Sequence, residues 1–95
     1  MHQLVIGPLF AGQRDQLKNI PRAEEALAGI QWAIAEKPDD FPIVATTIRL
    51  RLVKSEKLAR KNGFVRLYVW FAIDGSKVEL LELEVVPIPT SPFVM

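Results

Sequence analysis

Ten consecutive residues, Phe64–Ile73 (FVRLYVWFAI), alternate between two chemistries. Successive side chains of an extended strand point to opposite faces. Val65, Leu67, Val69, Phe71 and Ile73 therefore form an unbroken apolar face, and Phe64, Arg66, Tyr68, Trp70 and Ala72 form the other. Asp74-Gly75 follows, a dipeptide suited to a tight hairpin turn that needs positive φ. Val78–Val86 (VELLELEVV) reads as the returning strand, with Leu81, Leu83 and Val85 on one face and Glu82 and Glu84 on the other. Upstream, Ile48–Val53 (IRLRLV) alternates too: Ile48, Leu50 and Leu52 are expected to point one way, Arg49 and Arg51 the other. The three runs predict an antiparallel meander.

An apolar sheet face needs a cover, and one segment can supply it. Ala23, Leu27, Ile30 and Ile34 recur at i, i+4, i+7 and i+11, which makes a single stripe on a helix spanning Pro21 to Glu36. Proline suits the first helical turn, and Glu24 and Glu25 sit where the helix dipole favours acids. Lys37-Pro38 ends the helix, because the residue before proline is pushed out of the helical region. Leu4-Val5-Ile6 reads as a short edge strand ahead of Gly7-Pro8. Ala11–Asn19 is a loop or one or two helical turns. Phe41–Thr47 is read as a link, Lys54–Gly63 as a polar connection. The expected fold is α+β, one domain over residues 1–95. The segment 87–95 forms a Pro-rich tail that should not pair as a central strand.

Several function classes fall away. The chain has no cysteine and one histidine, His2, so thiolate and His-rich metal sites are excluded; no metal and no cofactor is expected. No apolar run approaches the roughly 20 residues of a membrane span. Met1-His2-Gln3 does not open a signal peptide, so the expected location is cytoplasmic. There is no Gly-rich phosphate loop, GxSxG or HExxH.

Charge is unevenly placed. Between Arg49 and Arg66 lie seven basic residues and one acid, Glu56, so this segment carries +6 and the remainder −5. Such asymmetry suggests a polyanionic partner, nucleic acid or an acidic peptide. If neighbouring strands pair, Arg49, Arg51, Arg66, Tyr68 and Trp70 gather on one face, where guanidinium groups could hold phosphate and rings could stack bases. Lys54, Arg60 and Lys61 extend the basic surface, or are merely solvated. Arg66 could instead pair with Glu82 or Glu84 across the hairpin. Trp70 could close a small second core with Pro92 or Phe93, Trp32 could cap the core edge, and His2 is uninvolved.

Three stretches, AEEALAGIQWAIAEKPDDFP, IRLRLVKSEKLAR and FVRLYVWFAIDGSKVELLELEVV, together resemble the RelE/ParE superfamily of bacterial toxin–antitoxin modules over roughly residues 23 to 86. The resemblance implies a toxin-like protein silenced by an acidic antitoxin. In RelE-like members it further implies metal-free cleavage of mRNA at the ribosome, with basic side chains stabilising the phosphate transition state. On that reading Arg51, Arg66 and Tyr68 would be catalytic, and Arg49, Arg51, Lys54, Arg60, Lys61 and Trp70 would bind RNA. The last strand, Leu83-Glu84-Val85-Val86-Pro87, lacks the basic residue and Tyr or His usual there. That departure speaks for the alternative, a non-enzymatic ParE-like protein binding DNA gyrase or only its antitoxin; the ribonuclease stays slightly ahead as the expectation, because the resemblance implies it more often.

Overall fold

The computed structural model describes residues 1–46, 49–61 and 63–89. It is an α+β fold with two α-helices and a mixed sheet of six strands. In chain order these are β1 (Gln3–Ile6), α1 (Pro8–Gln13), α2 (Ala23–Glu36), β2 (Ile43–Ala45), β3 (Leu50–Lys54), β4 (Leu58–Arg60), β5 (Gly63–Asp74) and β6 (Lys77–Ile88). The strands lie in the order β1-β6-β5-β3-β2, with β4 also paired to β5. The expected antiparallel meander is present as β3, β5 and β6. The expected edge strand, β1, pairs in parallel with β6.

The stripe on α2 falls where its spacing places it: Ala23, Leu27, Ile30 and Ile34 are all buried. They pack against Val65, Leu67, Val69 and Phe71 of β5 and Val78, Leu80 and Leu83 of β6. A fully buried side chain of this kind contributes roughly 1.5–3 kcal/mol of transfer free energy. Phe10 and Leu17, from α1 and the 3₁₀ turn after it, complete the core. Glu24 and Glu25 occupy the first turn of α2, but Pro21 lies outside it. Arg22 precedes the helix in a left-handed conformation, φ 67°, with its Nε donating to Glu25 Oε1 at 3.0 Å. Trp32 is 64% exposed and caps nothing.

Four expectations need correction. Leu81 does not share a face with Leu83. Trp70 stands opposite Glu82 and Phe71 opposite Leu80, which leaves Leu81 as the extra residue of a bulge. The bulge shifts the inward set from even numbers (Val78, Leu80) to odd (Leu83, Val85) and turns Leu81 outward. Second, β6 continues through Pro87, opposite Val65, to Ile88. This is possible because β1 pairs only with Lys77–Leu80, so proline's missing N–H deprives no flanking strand among the described residues. Residues 90–95, including Pro92 and Phe93, lie outside the described residues. Third, the link Phe41–Thr47 and the connection Lys54–Gly63 contain β2 and β4. Fourth, the faces of β3 are reversed, as described below.

Beyond β1 the free edge of β6 is met by side chains. Gln13 Oε1 accepts from Leu83 N at 2.6 Å, and Gln16 Nε2 donates to Leu83 O at 3.1 Å. Two glutamines thus stand in for one residue of a neighbouring strand, blunting the edge. At the β1–α1 corner Gly7 N donates to Leu80 O at 2.9 Å. A Cβ on Gly7 would lie 2.7 Å from that same oxygen, which is backbone and cannot swing aside. Gly7→Ala should therefore lower stability by about 1–3 kcal/mol in urea unfolding. Gly12→Ala, in α1 with nothing within 4 Å of its added Cβ, should leave stability unchanged or raise it by up to about 1 kcal/mol.

Candidate functional site

The basic strand β3 pairs with β5 so that Arg51 faces Phe71, Leu52 faces Trp70, Val53 faces Val69 and Lys54 faces Tyr68. Phe71 and Val69 are fully buried under the helices. Arg51 and Val53 therefore belong to the inner face, and Leu52 and Lys54 to the outer. The expectation that Arg51 joins Arg66 on one surface is wrong by one residue of parity, which in a strand inverts the whole set. The outer face is apolar as well, with Leu50, Leu52, Trp70 and Leu81 all partly buried on it.

Arg51 is held where it lies. Its Nη1 donates to Phe41 O at 2.6 Å and to Asp39 O at 3.3 Å, and Nη2 stands 3.6 Å from Asp39 Oδ1. The side chain is only 12% exposed. It closes the carbonyls of the turn after α2, beside the edge-to-face pair Phe41–Phe71 at 5.9 Å. Arg49 sits in the preceding turn with φ 51°, its N–H directed to Thr46 O. Arg60 is exposed at the end of β4, opposite Gly63, and Lys61 in the turn beyond.

Four of the expected site residues do share the outer face: Lys54, Arg66, Tyr68 and Trp70. Tyr68 and Trp70 stack at a tilt, centroids 5.8 Å apart, and Lys54 Nζ lies 5.2 Å above the Tyr68 ring. Arg66 stands opposite Val86 and donates from Nη1 to Ser55 O at 2.6 Å. Among the described residues it forms no ion pair with Glu82 or Glu84. The ladder considered from the sequence is therefore not formed.

Ser55 escaped sequence reasoning, since nothing in KSEK marks a buried serine. It is the one buried polar residue of the described set. Its Oγ accepts from Leu67 N at 2.8 Å and donates to Glu56 O at 2.7 Å. Its N–H donates to Leu67 O at 2.8 Å. Ser55 thereby splices β3 to β4 along one side of β5.

Between this splice and α2 runs a groove of about 600 Å³. Ala26, Ile30, Phe41, Val53 and Leu58 line its apolar part, and Glu56 and Lys57 its rim; Lys54 also borders it, but its ammonium lies over the Tyr68 ring on the outer face. Lys57 Nζ stands 5.0 Å above the Phe64 ring. Arg22 and Glu25, at the other rim, neutralise each other. Lys57 and Glu56 remain on the rim, one charge of each sign. Among the described residues no three His, Cys, Asp or Glu side chains cluster as metal ligands, and no helix is long and apolar enough to cross a membrane.

The chain matches no protein-family model, no curated protein and no solved structure.

Two substitutions separate scaffold from site. Arg51→Ala removes two charge-assisted bonds to carbonyls and should lower stability by about 1–3 kcal/mol. Asp39→Asn touches only an exposed carboxylate and should change stability by less than about 0.5 kcal/mol. Chemical denaturation of the two variants checks this; equal losses would place the effect in the ion pair.

Proposed function

We propose that the chain is a toxin-like protein of a toxin–antitoxin module that acts by binding polypeptide, in the ParE-like manner. What carries this reading is the pairing of Arg51 with Phe71. A metal-free ribonuclease of the expected kind would need Arg51, Arg66 and Tyr68 around one phosphate. Here the sheet separates Arg51 from the other two, and its guanidinium is engaged by main-chain carbonyls. Stabilising a phosphorane-like charge requires donors aimed at one point before the reaction begins. Arg66 and Lys54 alone are a weak constellation for that, with Glu84 beside Tyr68 in the same row.

The groove between α2 and the β3–β4 splice supports a peptide-binding role. Its apolar floor, with Lys57 at its rim, suits an amphipathic acidic segment, laid as a helix or strand. An antitoxin of that composition is the partner proposed. The cellular target is a second polypeptide, with DNA gyrase the member of this class implied by the resemblance. One observation favours the ribonuclease as runner-up: Arg66, Tyr68 and Lys54 share a face with a stacked tryptophan, an arrangement that could hold single-stranded RNA.

The chain induced alone should leave transcripts intact; growth arrest, where it occurs, should come with DNA breaks. Protein synthesis, RNA integrity and DNA integrity are scored together. Cut transcripts that become intact on Arg66→Ala, with the fold retained, would replace the binding reading with the nuclease. Lys57→Glu should weaken capture of an acidic amphipathic peptide by about tenfold or more, as measured by calorimetry.

A further inference from the structure

α2 and Phe10 of α1 pack on the inner face while α1 runs beside the edge of β6, so among the described residues no helix lies over the centre of the outer face of β3, β5 and β6. Its centre is apolar: Leu50 and Leu52 from β3, Trp70 from β5 and Leu81 from the bulge of β6. With Pro8 and Leu9 at the β1–α1 corner, Leu50, Trp70 and Leu81 enclose a cleft of about 400 Å³ rimmed by Glu79 and Glu82. Leu9 is 57% exposed beside it. Contiguous apolar surface of this kind marks an interface.

The charges flanking that centre are sorted by strand. Lys54 stands on β3; Glu79, Glu82 and Glu84 stand on β6; the Tyr68–Trp70 pair runs between them. Lys54, Tyr68 and Glu84 occupy one row across the sheet. Two strand spacings, roughly 10 Å, keep lysine and glutamate apart within that row. Among the described residues none of these four charges has an ion-pair partner.

We propose that the outer face of the sheet is the interface of a two-fold homodimer, in which Lys54 of each copy meets the β6 glutamates of the other across the Tyr68–Trp70 ridge. A two-fold axis running along β5 between two facing sheets carries the β3 column of one copy over the β6 column of the second. It holds the row of Tyr68 in register with itself. Lys54 then lies over Glu84, twice, and the aromatic ridge packs on its own image. Aligned sheets pack about 10 Å apart with their strands rotated by roughly 30°, within the reach of a lysine and a glutamate. Such an interface is isologous and closes at two copies. Among the described residues, Lys54 and the β6 glutamates find no such partner within one chain.

Sedimentation equilibrium of the full chain over a concentration series tests this. The expected mass rises toward twice 10.7 kDa. In a Trp32→Phe background the emission of Trp70 should shift to the blue over the same range. Lys54→Glu and Glu84→Lys should each weaken association about tenfold or more. The double reversal should restore it, because each copy then offers the opposite pair. Circular dichroism confirms that each variant folds, and Lys54→Gln replaces Lys54→Glu if it does not. A monomer at all concentrations overturns the proposal. So does a blue, concentration-independent Trp70 emission, which would assign the face to the chain's own C-terminal segment. A double reversal that stays monomeric, or a face that takes only a basic apolar peptide, overturns it equally.

Discussion

Pairing between β5 and β6 runs from Asp74 and Lys77 at the turn to Phe64 and Ile88 at the open end, and one residue of β6, Leu81, has no opposite number. Both halves of β6 offer apolar residues to the helices, yet the halves are out of phase. Without the slip at Leu81, either Val78 and Leu80 or Leu83 and Val85 would face solvent. The bulge keeps both pairs inside. It also turns Leu81 toward Trp70, which makes the outer face apolar, and that outer apolarity draws Leu50 and Leu52 outward and sends Arg51 in. Leu81 of β6 and Leu50 of β3 thus meet Trp70 on the same outer cleft.

Much of this fold is legible from periodicity, and the failures have one physical root. The α2 stripe and the β5 alternation are long, and each has a single solution, so Leu27, Ile34, Val65 and Val69 are buried as their spacing requires. The Leu80-Leu81 doublet interrupts the alternation of β6 and is a readable sign of a bulge. Strand β3 is shorter and carries aliphatic residues at Leu50 and Leu52 and again at Val53. Its parity depends on which face of the neighbouring strand is apolar, and both are. The short strands β2 and β4 carry no alternation long enough to see. They exist because β3 and β5 present free edges beside them. Ser55 and the two glutamines act through main-chain groups, whose positions no side-chain pattern encodes.

The candidate site follows the same logic. Arg66, Tyr68 and Trp70 share the outer face their spacing predicts, because they lie on the long alternation of β5. Arg51 lies on β3 and falls on the other face. An arginine at a sheet margin needs acceptors, and the turn after α2 offers carbonyls left without helical partners. Arg51 supplies donors to those groups. It fastens α2 to the sheet, so its charge serves the scaffold.

A chain of 95 residues with one long helix can cover one side of a six-stranded sheet and no more. The helices take the face where β5 and β6 are purely aliphatic and aromatic. The remaining face carries Trp70 and three leucines, held in place by the bulge and by the register of β3. Exposing them permanently would be costly. Polar residues there would have solved the problem cheaply, as Arg66 and Glu84 do at the periphery. Leucine and tryptophan at the centre, with lysine on one flank and glutamate on the other, instead describe a surface whose complement is its own image. The groove beside α2 has a different character, an apolar floor with Lys57 and Glu56 at its rim. On the two proposals, a single sheet presents two unlike surfaces, one for a partner polypeptide and one for a second copy of itself.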